Sequence, residues 1–96
     1  MARVVVAPGA LQDLNRLIKA LKLPNSTRPR VRARLRQLSE HPESGAALQG
    51  RWDGFRFILG PWSWMLIVYS FDAQADQVAV VTIQDARSGR APTSHR

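Results

Sequence analysis

The sequence predicts an α+β domain in which a helical hairpin covers one face of a small, mostly antiparallel sheet, in the order β-α-α-β-β-β. Three observations carry this reading. Apolar residues recur at helical spacing through two stretches between Ala10 and Glu40. The period drops to two from Phe55 onward. The last three apolar runs are joined by turns too short for parallel crossovers, so they pair antiparallel.

Val4-Val5-Val6 is a β-branched run ending at Pro8-Gly9, which predicts a brief first strand. Leu11, Leu14, Ile18 and Leu21 then share one helical face flanked by Leu17, while Asp13, Arg16 and Lys19 point elsewhere. That spacing predicts a helix from about Ala10 to Lys22, ended by Pro24-Asn25-Ser26. The segment Arg28–Ser39 fits both periods, because Arg30, Arg32, Arg34 and Arg36 alternate with other residues while Val31, Leu35 and Leu38 form a helical stripe. Its Ala, Leu, Arg and Gln content favours helix, with Ser26 as N-cap and His41-Pro42 as the stop.

Pro42–Gly50 reads as a loop. Beyond it Phe55, Phe57 and Leu59 share one face of a strand, with Arg56 and Ile58 on the other. Gly60-Pro61 supplies a turn. Trp64–Phe71 and Gln77–Ile83 are apolar on both faces, as central strands are, and the polar Asp72–Asp76 joins them as a hairpin. Residues 1–86 thus form one domain. The basic, breaker-rich segment 87–96 reads as a loose tail.

Ninety-six residues suffice for one core, with 45% apolar and 22% charged residues in a globular balance. With no cysteine, disulfide scaffolds, thiolate zinc sites and cysteine nucleophiles are excluded. Val4–Ala7 is too short for a signal-peptide core and Trp64–Tyr69 too short to span a membrane, so a soluble cytoplasmic protein is expected. Fourteen Lys+Arg against seven Asp+Glu leave a formal charge of +7. In the first 36 residues nine of those cations face only Asp13, a field that attracts polyanions or an acidic protein.

From His41 onward the residues follow an ordered pattern: His41-Pro42-x-x-Gly45-x-x-Leu48-x-Gly50-x-Trp52-x-Gly54-Phe55-Arg56, then Gly60-Pro61-Trp62, then Ile67-Val68-Tyr69-x-x-Asp72. Together with Ala7-Pro8 and the helix bearing Leu11 and Leu14, this pattern resembles the RelE/ParE toxins from Val4 to about Arg90. The resemblance implies the toxin half of a bacterial toxin–antitoxin pair, held inactive by a cognate antitoxin. Two targets occur in that family: RelE-like members cleave messenger RNA on the ribosome, and ParE-like members bind and inhibit DNA gyrase. No cofactor, metal or membrane partner is implied.

Metal-independent RNA cleavage needs a base for the ribose 2′-OH, cations for the phosphorane and a proton donor for the leaving oxygen. The resemblance places Arg56 at the family's basic strand position. Arg51 before that strand, and Arg87 and Arg90 after the last one, are expected to ring the same end of the sheet and grip phosphate bidentately. The family's further strand arginine falls at Met65 or Leu66, and no Arg, Lys or His occurs from Gly60 to Gln84. The messenger-cleaving reading, the gyrase-binding reading and a degenerate member that only binds its partner therefore all stay open.

His41 reads as a cation at a helix end and His95 as a solvated tail residue. Arg28, Arg32 and Arg36 line one flank of the second helix, and Arg30 and Arg34 the other, largely without acidic neighbours. The first three, with Trp52 and Trp62, are the candidate contacts to RNA or to a protein partner. Alternation puts Trp62, Trp64, Leu66 and Val68 on one face, with Trp64 in packing.

Overall fold

The computed structural model describes residues 1–89 and 91–93. Strand β1 (Arg3–Val6) runs into helix α1 (Pro8–Leu21), where Pro8 sits in the first turn and loses no needed donor. The helix is turned slightly from the predicted stripe. Ala10 and Leu14 are buried, Leu17 and Ile18 pack beside them, and Leu11 stays 51% exposed. Lys22 closes α1 in the left-handed region, its amide donating to Ile18 O. Helix α2 (Thr27–Glu40) buries Thr27, Val31 and Leu38, as the period of 3.6 requires, and exposes all five arginines. Ser26 occupies the N-cap position, but its side chain makes no capping bond.

The sheet order is β1-β5-β4-β3-β2, with β2 at Ala46–Ala47, β3 at Arg56–Leu59, β4 at Met65–Asp72 and β5 at Gln77–Asp85. All pairs are antiparallel except β1 with β5, where Val6 lies beside Val80. The Pro42–Gly50 segment predicted as a loop contains the additional short strand β2, paired with Phe57 and Arg56, and a one-turn 3-10 helix (Gly50–Trp52) begins where it ends. Two alanines carry no period, so such a strand has no signature of its own.

The α+β reading holds: both helices lie on one face of β4 and β5. Met65, Ile67 and Tyr69 of β4 point into the helix-side core with Val78, Val80 and Ile83 of β5. Val80 and Ile83 are three apart yet share that face, because Val81 is an extra residue in a bulge between the Val68–Thr82 and Tyr69–Val80 pairs. Leu66 and Val68 point the other way, into a smaller cluster with Leu48 and Ala91. This second cluster is roofed by the 48–55 loop, through Trp52 and Phe55, and by the segment after β5, through Ala86 and Ala91.

Asp13 ties the first helix to the last strand. Beyond Val80 the outer edge of β5 has no strand beside it, since Ala7 N–H makes the last contact there at 2.9 Å. The Asp13 carboxylate fills that place by accepting from Thr82 Oγ1 and from the Ile83 amide. Gln84 Nε2 donates to the same hydroxyl at 2.8 Å.

Candidate functional site

Arg56 opens β3 directly opposite Tyr69 on β4. Its Nη1 donates to Gly45 O at 2.8 Å and to Glu43 O at 3.3 Å. Gly45 N–H in turn donates to the Tyr69 hydroxyl at 2.9 Å. Burial pushes the Tyr69 hydroxyl above its ordinary pKa, against the opposing pull of the Gly45 hydrogen bond and the Arg56 charge. No side chain fits at Gly45, where a Cβ would lie 2.5 Å from the Tyr69 oxygen and 2.7 Å from Phe57 O. Arg56 and Tyr69 thus pin the loop between α2 and β2 onto the sheet.

At the opposite end of β4 the Gly60-Pro61 turn is closed by Gly60 N–H to Met65 O at 2.8 Å and Met65 N–H to Trp62 O at 3.0 Å. Here the indoles of Trp62 and Trp64 stack with centroids 6.0 Å apart and planes 14° from parallel. The Arg30 guanidinium of α2 lies 5.0 Å over Trp62, and that of Arg87 lies 4.6 Å over Trp64. Arg87 also forks onto Asp85, with Nε to Oδ1 at 2.9 Å and Nη2 to Oδ2 at 2.8 Å, which holds the Asp85 carboxyl below its ordinary pKa.

The predicted arginines do not form one cluster. Arg56 lies at the level of Tyr69, while Arg87 follows Asp85, which pairs with Met65. Four residues of strand separate those levels, about 13 Å. Arg51 is exposed on the 3-10 turn, beside Trp52, which meets Phe55 edge-on at 5.8 Å. Arg90 and His95 lie outside the described residues. His41 is exposed at the end of α2, its amide bonded to Gln37 O at 2.8 Å. No cluster of metal-ligating side chains occurs among the described residues, and none of their helices is long and apolar enough to cross a membrane.

One sequence expectation is corrected. Trp62 and Trp64 do not share a face with Leu66 and Val68; they pack against the helix-side core. Both precede β4, so strand alternation does not run through them. The stacking of Arg30 and Arg87 on these rings was likewise missed, although an arginine flank and two nearby tryptophans were on view.

The two flanks of α2 have different surroundings. Arg28 and Arg32 edge an apolar groove floored by Val6, Leu11, Leu14 and Val31, and Arg32 and Arg36 edge its continuation over Val4 and Leu35. Arg28 donates to Asn15 Oδ1. Arg30 and Arg34 instead line a shallow hollow with Gln37 and Pro61. Among the described residues the ion pairs are Arg16–Asp13 at 3.4 Å and Arg87–Asp85 at 2.8 Å, so none of the α2 arginines is neutralised by a carboxylate.

No protein-family model and no curated protein matches the sequence. Solved structures do match the fold. The chain is similar to a chain of the intact Escherichia coli RelBE toxin–antitoxin complex, with a TM-score of 0.68 and 18% identity over 92% of this chain and 100% of that one. The isolated E. coli RelE toxin matches at 0.66 and 20% identity, over 94% and 89% of the two chains. The RelBE2 complex of Mycobacterium tuberculosis matches at 0.61 and 21% identity, over 88% and 96%. Two helices on one face of this five-stranded sheet, with its first strand parallel to its last, are the fold of the RelE toxins.

Proposed function

We propose that this chain is the toxin of a toxin–antitoxin pair and acts in the cytoplasm as a RelE-like ribosome-dependent messenger-cleaving factor. The observation that carries this reading is the likeness to RelE chains over nearly the full length of both partners. Exposed arginines around the sheet are the proposed phosphate contacts, Arg51 on the far-face loop and Arg87 just after β5, and Arg90 joins them from the sequence alone. Arg56 serves this site as a positioning residue, since its guanidinium holds the Glu43–Gly45 loop.

The apolar groove beside α2 is the seat for the antitoxin. Its floor leaves Val6 and Leu11 exposed, and Arg28, Arg32 and Arg36 along its rim suit an amphipathic acidic segment. Induction of the chain without a partner, followed by labelled-precursor incorporation, tests the proposal. Arrest of protein synthesis, with new messenger ends on programmed ribosomes, is the expected result. Growth without arrest refutes it.

A second reading has one observation behind it. Met65 and Leu66 are both buried where the family resemblance implies a strand arginine, and β4 carries no cation on either face. A gyrase-inhibiting toxin acts by binding and needs no such group. Early loss of DNA synthesis, with inhibited supercoiling in vitro, selects it over cleavage.

A further inference from the structure

The stack Arg30–Trp62–Trp64–Arg87 connects a helix, a turn and the end of the last strand; Asp85 answers the charge at the Arg87 end, and no carboxylate among the described residues answers the Arg30 end. Both guanidiniums lie over indole rings, 5.0 and 4.6 Å from the centroids, before any ligand arrives. A guanidinium packed over a ring can still turn N–H donors to an anion, and Arg87 has already turned Nε and Nη2 to Asp85. The Arg30 guanidinium makes no hydrogen bond among the described residues; only its backbone amide donates, to Ser26 O. Arg34, one turn along α2, donates to Gln37 Oε1 at 3.3 Å and borders the same hollow beside Pro61. Asp85 is occupied by Arg87 through both of its oxygens. Asp72 and Asp76 lie at the hairpin joining β4 to β5, the other end of the sheet.

We propose that Arg30 and Arg34 form a phosphodiester seat, joined through the Trp62–Trp64 stack to Arg87, so that one nucleic-acid strand crosses the end of the sheet from α2 to the segment after β5. The separations of 5.0, 6.0 and 4.6 Å along the stack bring the two outer guanidiniums within reach of phosphates a few nucleotides apart. Between its two arginines the hollow offers only Ala33, Gln37 and Pro61, a smaller apolar floor than the Val, Leu and Ile lining of the groove on the opposite flank of α2. The helix therefore divides its arginines: Arg28, Arg32 and Arg36 face the protein groove, and Arg30 and Arg34 face nucleic acid. This assignment does not depend on whether the chain cuts RNA.

The test is fluorescence anisotropy of the purified full chain with a labelled oligouridylate, repeated across salt. Arg30→Ala with Arg34→Ala is expected to weaken binding about tenfold and to flatten the salt dependence by about 1.4, roughly 0.7 for each phosphate released. Arg28→Ala with Arg32→Ala removes the same charge from the other flank and is expected to cost under about threefold, since the net field alone responds. Trp62→Leu keeps an apolar side chain but removes the indole under Arg30, and is expected to weaken binding about threefold at a temperature where thermal unfolding shows the variant folded. All four arginines are exposed, so folding is spared. Duplex RNA and duplex DNA run alongside identify the backbone that fits best, and sensitivity of any of the three to the Arg30 pair supports the seat. Equal losses from both arginine pairs, or polyglutamate competing as well as unlabelled RNA, overturn it.

Discussion

The amide of Gly45 donates to the hydroxyl of Tyr69 across 2.9 Å, and that hydroxyl fills the space a side chain at Gly45 would need. The contact joins the loop after α2 to the middle of β4 and requires both residues. Glycine is demanded here by close approach, whereas Gly54, at φ 90°, is demanded by its backbone conformation.

Gly45→Ala is therefore expected to destabilise the fold by about 1–3 kcal/mol, because one of the blocking atoms is the backbone oxygen of Phe57, which cannot swing aside. At roughly 4–8 °C per kcal/mol for a domain of this size, thermal unfolding will register the loss. Tyr69→Phe removes the other blocking oxygen but leaves the Gly45 donor unpaired, a cost of about 1–3 kcal/mol by itself. The double variant should fall short of the sum of the two, which a mutant cycle measures directly.

Alkaline pH offers a second readout of the same contact. Tyr69 is the chain's single tyrosine, so its ionisation can be followed by ultraviolet absorbance without deconvolution. Burial raises its folded pKa above the ordinary 10.0. The folded state thus holds this proton more tightly than the unfolded chain. The resulting stability is complete below the unfolded value and is lost as pH rises through the raised one. Denaturation curves for wild type should decline over that interval more steeply than those for Tyr69→Phe; parallel curves would refute the assignment.

Asp13→Ala should cost about 1–3 kcal/mol in chemical denaturation, since it strips the acceptor from Thr82 Oγ1 and from the Ile83 amide together. Arg16→Ala removes only the exposed partner of Asp13, at 3.4 Å, and should change stability by less than about 1 kcal/mol.

Leu11→Glu probes the groove. The residue is 51% exposed, so the fold should tolerate the change. If the proposed toxin role and antitoxin seat hold, growth arrest on induction persists while rescue by a co-expressed antitoxin is lost, because a carboxylate replaces part of the apolar floor. Retained rescue would place the antitoxin elsewhere.

The hairpin of helices and the three-strand meander were legible because Leu14, Val31 and Leu38, and later Phe55 and Phe57, repeat at periods set by local geometry. Ala46–Ala47 was not, being too short to show a period. The side taken by Trp62 and Trp64 was missed because alternation was extended past the start of β4. The separation of Arg56 from Arg87 could have been foreseen: β3 and β5 both run antiparallel to β4, so the start of one and the end of the other lie apart. Arg30 over Trp62 could not, since it depends on how α2 settles against a turn some thirty residues downstream.

The parallel pairing of the first strand with the last also sets an order of assembly. Val6 has no strand partner until Val80 is available, and Asp13 has no hydroxyl to accept from until Thr82 is. The meander of β3, β4 and β5 closes through neighbouring segments, while β1 must close a loop spanning most of the chain, which costs more chain entropy. Folding is thus expected to begin in the second half and to finish when β1 and α1 dock onto β5. On a translating ribosome the groove between α1 and α2 then takes its final shape only after β5 has emerged. A partner that reads this groove would recognise the finished chain and pass over the growing one.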